Sequence, residues 1–436
     1  MATSNKLIFQ FSKKQTDGDQ TMLDLLGSKG ANLAEMSKIG INVPPGFTIT
    51  TEVCNYFIEK KEMPKNFNKE LKDSLKKLEE YSGKKFGNSD NPLLLSVRSG
   101  GKISMPGMMD SILNIGLNDE NVEHLSKAFN DERFALDSYR RLIQMYGNVV
   151  LGIEHDRFEA VLNNKKRIDN LDSDSDFNPE QLKWIIDAYK NTVERFSKSP
   201  FPQDPFEQLT GSIEAVFKSW LNKRAVTYRK INNISDTLGT GATIQTMVFG
   251  NLNGKSGTGV AFTRFPSTGK NELYGQYLMN AQGEDVVAGL RTPFPITKHE
   301  KNTEPSLEEE NPKLFKDIKD IANKLENHYK EVQDIEFTIE NDSLYLLQTR
   351  KAKRTAQASV KIAVDMHEEK KVTKKEALNM VDADSITAIL HPQFIEEQEK
   401  NVFGKGLNAS PGAAFGEIVF DADKAEEEAN KGRNVI

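Results

Sequence analysis

Cysteine is nearly absent, with Cys54 the only one in 436 residues. A single thiol forms neither an internal disulfide nor a Cys-rich zinc site, and it fits a reducing compartment. Tryptophan occurs twice and histidine six times, at positions 124, 155, 299, 328, 367 and 391. No histidine sits in a Gly/Ser/Thr-rich catalytic setting, so none is given a catalytic or metal role. No stretch approaches the ~20 apolar residues of a membrane span. The first 15 residues carry no long apolar run and no small-residue cleavage pattern, and no arginine precedes Arg98. Neither a secretory leader nor a transit peptide is therefore expected, and the cytoplasm is the expected location. A strong excess of one charge is missing too. The 58 basic and 64 acidic side chains give −6, no reason to expect nucleic acid or an anionic membrane as partner.

Against these absences, 37% hydrophobic and 28% charged residues suit a chain with real cores. The periodicity predicts a mixed α/β (α+β) organisation. Strands are expected at 6–11, 47–50 and 93–99, with a helix over 29–40 ending at Gly40, one from Thr51 and one over 68–81. From about 119 to 230 only helices are expected: 131–147, 155–167, 179–196 and 206–230. Strands return at 243–250, 259–264 and 272–280. A helix over 313–329 then precedes a hairpin over 334–350, and further helices follow. The expected divisions are 1–118, a helical segment 119–235, 236–355, a helical linker 356–405, and 406–436 as the opening of a further α/β domain.

Several segments offer groups for phosphate chemistry. Lys29 lies between Gly27 and Gly30, where backbone amides and an ammonium could meet a phosphate, although such a turn is common on its own. Arg98 ends a strand before Ser99, Gly100 and Gly101, a place for a forked phosphate contact or an ordinary ion pair. The glycines at 250, 254, 257 and 259 could form a loop over nucleotide phosphates, but they fit neither GxxxxGK[ST] nor GxGxxG, and an ordinary turn is the stronger local reading. In the hairpin, alternation puts Asp334, Glu336 and Thr338 on one face and Ile335, Phe337 and Ile339 on the other. A three-residue connection, 341–343, is expected. It would set Glu336 opposite Gln348, Asp334 opposite Arg350, and Tyr345, Leu347 and Thr349 on the apolar face. Carboxylate and amide oxygens beside an arginine are what a magnesium–nucleotide needs, though a solvated polar face gives the same pattern.

Taken together, LLGSKGANLAEM (25–36), VPPGFTITTE (43–52), NPLLLSVRSG (91–100), MPGMMDSILNIGLND (105–119), SYRRLIQMYGNVVLGI (138–153), QTMVFGNLNGKSGTGVAFTRFPSTG (245–269), NAQGEDVVAGLRTPFPI (280–296) and the hairpin resemble the pyruvate, phosphate dikinase family. ASPGAAFGEIVF (409–420) looks like the start of that family's phosphohistidine domain. The resemblance implies an ATP-grasp fold with a helical insertion, a helical linker and the start of a swivelling phosphohistidine domain. It implies conversion of ATP, inorganic phosphate and pyruvate into AMP, pyrophosphate and phosphoenolpyruvate with Mg2+, and a homodimer when full length. Residue by residue, it implies phosphate contacts for Lys29 and Arg98, a magnesium pair in Glu336 and Gln348, and an active-site acid and arginine in Asp334 and Arg350. It implies a phosphate-covering loop at Gly254, Gly257 and Gly259, and places Glu284 and Asp285 near the nucleotide. Ser28 and Gly101 depart from the family pattern without removing a charge. The family's Thr-Ser-His-Ala-Ala signature does not occur in these 436 residues, so this chain by itself is not expected to complete the reaction. A phosphoenolpyruvate synthase-type enzyme and a nucleotide-binding module without turnover are the alternatives. The segments at 105–119 and 138–153 favour the dikinase over the first.

Overall fold

The structure, a computed structural model, describes residues 6–87, 91–105, 107–287, 291–298, 304–383, 386 and 415–436. Their contacts divide into two compact units. The first comprises Met1–Gly259, Tyr277–Val286 and Ile335–Arg350; the second comprises Val260–Gln276, Val287–Asp334 and Lys351–Ile436.

The elements run β1 (Ile8–Phe11), α1 (Leu23–Lys38), β2 (Gly46–Ile49), α2 (Thr51–Lys60), α3 (Phe67–Ser82), β3 (Leu95–Gly101) and β4 (Ser111–Ile115). Helices follow: α4 (Asn121–Phe129), α5 (Glu132–Val149), α6 (His155–Asp169), α7 (Pro179–Ser197), α8 (Pro205–Ser219) and α9 (Lys223–Ile231). Then come β5 (Thr240–Thr246), β6 (Gly257–Phe262), β7 (Tyr274–Met279), α10 (Gly283–Val287), β8 (Phe294–Pro295), α11 (Leu307–Glu310) and α12 (Pro312–Tyr329). The remainder is β9 (Gln333–Glu340), β10 (Ser343–Lys351), α13 (Ala356–Glu368), α14 (Lys374–Met380) and α15 (Ala422–Asn430).

The first sheet has the order β1-β2-β5-β3-β4, and neighbouring strands run antiparallel. Its two faces differ in chemistry. Phe47, Ile244, Val97 and Ile112 line up across the strands on one face and join the main hydrophobic core with Ile213, Val216 and Phe217 of α8. One residue along, Thr48, Thr243, Arg98 and Ser111 line up on the other. Helix α1 lies over this polar face: a Cβ on Gly30 would come within 2.6 Å of the Thr48 hydroxyl. The apolar face thus anchors the sheet in the core, and the polar face is held under the first turns of α1. The second sheet has the order β10-β9-β6-β7-β8. These observations establish an α+β fold.

Three sequence expectations change. The stretch 206–230 was expected as one helix but forms α8 and α9. Trp220, only 2% exposed, donates from its indole nitrogen to the Asp236 carbonyl at 3.0 Å, and Asn222 begins the next helix. Burial of that ring decides the break. Strand β4 was not anticipated; its SILNI run is short and flanked by loop residues.

The hairpin loop has two residues, not three. Asn341 and Asp342 adopt φ of 48° and 62°, between strands ending at Glu340 and starting at Ser343. Two left-handed residues match the twist of the flanking strands, and Asn and Asp tolerate that conformation. The extra residue sits inside the return strand instead. Ala352 N–H donates to the Val332 carbonyl, nine positions after Ser343 but only eight before Glu340. Leu346 and Thr349, three positions apart, are both 1% exposed, whereas Tyr345 and Leu347 are half-buried. A β-bulge at Leu347–Gln348 accounts for both facts and sets both residues opposite Glu336 in register.

In the second unit, Val332, Ala358, Ile362 and Met366 form a small core. Beside it Arg264, with no exposed side-chain surface, pairs with Glu326 at 2.8 Å and Glu369 at 2.7 Å, while Lys371 reaches Glu326 at 2.8 Å. Burial would raise these carboxyls, but hydrogen bonds from Arg264 and Lys371 prevail. Glu326 is held below its ordinary value and Glu369 at about 2. Both carboxyls are depressed in the fold. Their stabilisation is therefore complete above the ordinary carboxylate range and lost as pH falls through the folded values. Glu326→Ala leaves a buried guanidinium short of its partner and should cost about 3–5 kcal/mol, read as a lowered urea midpoint at pH 7.

Residues 415–436 carry α15, with Glu417 bridged in parallel to Val435. Residues 406–414, His299, His391 and, of the linker expected over 356–405, residues 384, 385 and 387–405 lie outside the described residues.

Candidate functional site

Helix α1 is not continuous. Gly27 has φ 66° and ψ 168°, and a Cβ there would stand 1.7 Å from the Gly100 carbonyl oxygen. Only glycine permits both that backbone and that approach, so the end of β3 and the start of the main helix lie against each other. Ser28 Oγ donates to the Gly101 carbonyl at 3.0 Å, and Lys29 Nζ donates to the Ser99 carbonyl at 2.9 Å.

This packing brings Lys29 to Arg98. From the polar face of the first sheet, Arg98 extends both terminal nitrogens to the hairpin. Nη2 meets Glu336 Oε2 at 2.9 Å and Nη1 donates to the Leu347 carbonyl at 3.1 Å. The Leu347 carbonyl belongs to the bulge, so the extra residue in β10 takes part in the site. The main chain of β10 is also tied to α1 and its following loop: Asn32 Nδ2 donates to the Thr349 carbonyl at 3.0 Å, and Asn42 Nδ2 to the Leu344 carbonyl at 2.8 Å. Arg350 Nη1 lies 3.5 Å from Ser104 Oγ, in the segment between β3 and β4.

Burial, with the positive charges of Arg98 and Arg350 and against the carboxylate of Glu336, pushes the Lys29 ammonium down to about 7. Lys29, Arg98, Arg350 and the Glu336 carboxylate therefore share one region. An ammonium depressed by neighbouring cations is stabilised by an arriving anion.

The other expected residues are placed as follows. Asp334 is buried in β9 at 7% exposure, and Gln348 is half-buried in the bulge. Gly257 and Gly259 lie in β6, not in a loop. A Cβ on Gly257 would stand 2.7 Å from the Leu278 carbonyl, so this glycine serves close strand packing. Gly254 alone is in an open turn, with nothing within 4 Å of an added Cβ. Asp285 accepts from Gln282 N–H at 2.9 Å and pairs with Arg141 at 3.6 Å. These contacts fix the start of α10 rather than join the cationic group. The side chain of Glu284 lies outside the described residues.

Sequence reasoning missed the Leu347 and Ser99 carbonyls and Ser104. Backbone acceptors leave no residue-type signal. Ser104 lies just before the 105–119 stretch and was not singled out.

The family described as "Pyruvate phosphate dikinase, AMP/ATP-binding domain" matches residues 23–82, 58–313 and 295–371. The chain belongs to that family. It is 49% identical to the pyruvate, phosphate dikinase of Rhizobium meliloti (strain 1021) over 436 residues, which are 99% of this chain and 49% of that protein. It is 51% identical to the enzyme of that name from Rickettsia conorii over 97% of this chain and 48% of the relative. The figure is 46% for that of Clostridium symbiosum, over 99% and 48%. The chain spans about half the length of the curated relatives it matches. Lys29, Arg98 and the α1–β3 junction fall within the matched ranges, as do Asp334, Glu336, Gln348 and Arg350.

Proposed function

We propose that this chain is the ATP-binding, phosphoryl-donating part of a pyruvate, phosphate dikinase, acting in the conversion of ATP, inorganic phosphate and pyruvate into AMP, pyrophosphate and phosphoenolpyruvate. The observation that carries the reading is the convergence of Lys29, Arg98 and Arg350, with the Glu336 carboxylate held on Arg98. A polyphosphate is the ligand that such an excess of fixed positive charge accepts.

Within this reading the fold is an ATP-grasp, divided near 118, 235 and 355. A linker to about 405 then leads into a swivelling phosphohistidine domain. The complete enzyme is a cytoplasmic homodimer. Among the described residues no helix is long and apolar enough to cross a membrane.

The donor set fits Mg2+ carried on the nucleotide. Among the described residues no three His, Cys, Asp or Glu side chains gather into a metal cage. Magnesium characteristically binds through one or two protein oxygens plus phosphates, and Glu336 with the Gln348 amide supplies such a pair. When bound, the ion neutralises charge on the phosphate oxygens. The chain's own contribution is positioning. Lys29 and Arg98 hold the phosphates against the polar face of the sheet, and Arg350 meets charge that grows on the transferring group. Asp334 completes the polar edge of β9. Gly254 lies in the turn before β6 that would approach the phosphates.

Titration calorimetry of the chain with Mg-ATP tests the proposal. Binding should be measurable, and Arg98→Ala should weaken it about tenfold or more, the weight of a lost charge-assisted contact. Equal affinity in the two proteins would remove Arg98, and with it this site, from the reading.

A further inference from the structure

The terminal nitrogens of Arg98 are both engaged within the protein, one by the Glu336 carboxylate at 2.9 Å and one by the Leu347 carbonyl at 3.1 Å. A carboxylate and a carbonyl on a guanidinium present two oxygens much as a phosphate does. Glu336 is also the acidic partner proposed above for magnesium. One side chain therefore serves two competing pairings. We infer that Glu336 acts as an internal stand-in for phosphate on Arg98, and that its transfer to the metal makes the site select metal-complexed over metal-free polyphosphate. This rests on the nucleotide reading of the site.

The physical basis is charge. While Glu336 faces Arg98, an incoming polyphosphate must displace a carboxylate that stays nearby and repels it. With side-chain exposures of 14% for Arg98 and 28% for Glu336, the exchange takes place where water screens it only partly. A divalent cation arriving with the nucleotide gives the carboxylate a new partner, and the arginine fork passes to phosphate without leaving an unpaired buried charge. Metal-free nucleotide offers no such exchange. The bulge suits this role. It holds the Leu347 carbonyl on Arg98 and sets Gln348 next to it in β10, so the strand contributes an acceptor to the arginine and, in the reading above, one for the metal.

The test is equilibrium binding of ATP to the 436-residue chain, measured once with saturating Mg2+ and once in EDTA, for the wild type, Glu336→Gln and Arg98→Ala. Glutamine keeps the shape and an oxygen for Arg98 but removes the repelling charge. Glu336→Gln should bind metal-free ATP at least about tenfold more tightly than the wild type, while its gain on adding Mg2+ shrinks by a similar factor. Metal-free binding that is unchanged or weaker in Glu336→Gln, with Arg98→Ala impaired in both conditions, would overturn the exchange and leave the nucleotide site standing. Binding untouched by Arg98→Ala would overturn the site itself, and the inference with it.

Discussion

Replacing Arg350 by alanine should slow phosphoryl transfer from ATP by about 10²–10³ in the complete enzyme while weakening ATP binding far less, because a donor aimed at developing charge acts mainly in the transition state. Arg350 suits that role. Its terminal nitrogen lies 3.5 Å from the Ser104 hydroxyl, and its charge is felt by Lys29. Rapid-quench measurement of the ATP half-reaction checks the rate and equilibrium binding checks the affinity. A variant with an unchanged half-reaction would remove Arg350 from catalysis. The same substitution removes one of the two positive charges that depress Lys29, so the Lys29 ammonium should titrate at higher pH in Arg350→Ala.

The second large effect is expected at Lys29. With its ammonium pushed down to about 7, the free chain is partly deprotonated there at and above neutral pH, whereas polyphosphate favours the charged form. ATP binding above pH 7 should therefore take up a proton. Calorimetry in buffers of different ionisation enthalpy reads this uptake directly. Lys29→Met should abolish it and weaken ATP binding by about tenfold or more. The stability effect has the opposite sign. Lys29 titrates lower folded than unfolded, so between about 7 and the ordinary lysine value the unfolded chain binds more protons, and the folded state gains stability as pH rises. Lys29→Met should accordingly be more stable than the wild type below pH 7, with the gain shrinking toward pH 10. A melting difference between the two proteins that does not vary with pH would contradict a depressed Lys29.

Much of this was legible in the sequence because the core-forming pattern is strong. The strands that became β1, β2 and β3 and the helices that became α5, α7 and α12 are regular enough to read from periodicity. What was not legible has a common cause, since long-range packing decided it. Trp220 found a buried place and split one expected helix into α8 and α9. Gly257 and Gly259 looked like loop glycines, but the nearness of the Leu278 carbonyl makes Gly257 a packing residue in β6.

The hairpin shows both sides of the matter. Strand alternation required one extra residue in the connection to β10. The residue is there, as a bulge beside Glu336 and not in the turn. Turn chemistry at Asn341-Asp342 favours the tighter loop, and the irregularity moved to where Arg98 holds the Leu347 carbonyl. At the site, residue types alone suggested Lys29, Arg98, Glu336 and Arg350 separately. Only the fold shows that Gly27, by accepting a left-handed backbone against Gly100, brings the lysine to the arginines. Asp285 is the reverse case, an acid near the right motif whose partners are Arg141 and the start of α10.

A crystal structure of this chain with Mg2+ and a non-hydrolysable ATP analogue tests the central claim most directly. The β- and γ-phosphates should lie within hydrogen-bond distance of Lys29, Arg98 and Arg350, with the metal against Glu336 and Gln348. An analogue bound with its phosphates away from Lys29 and Arg98, or a structure in which Arg98 keeps its contact with Glu336 while nucleotide and metal are both bound, would contradict it.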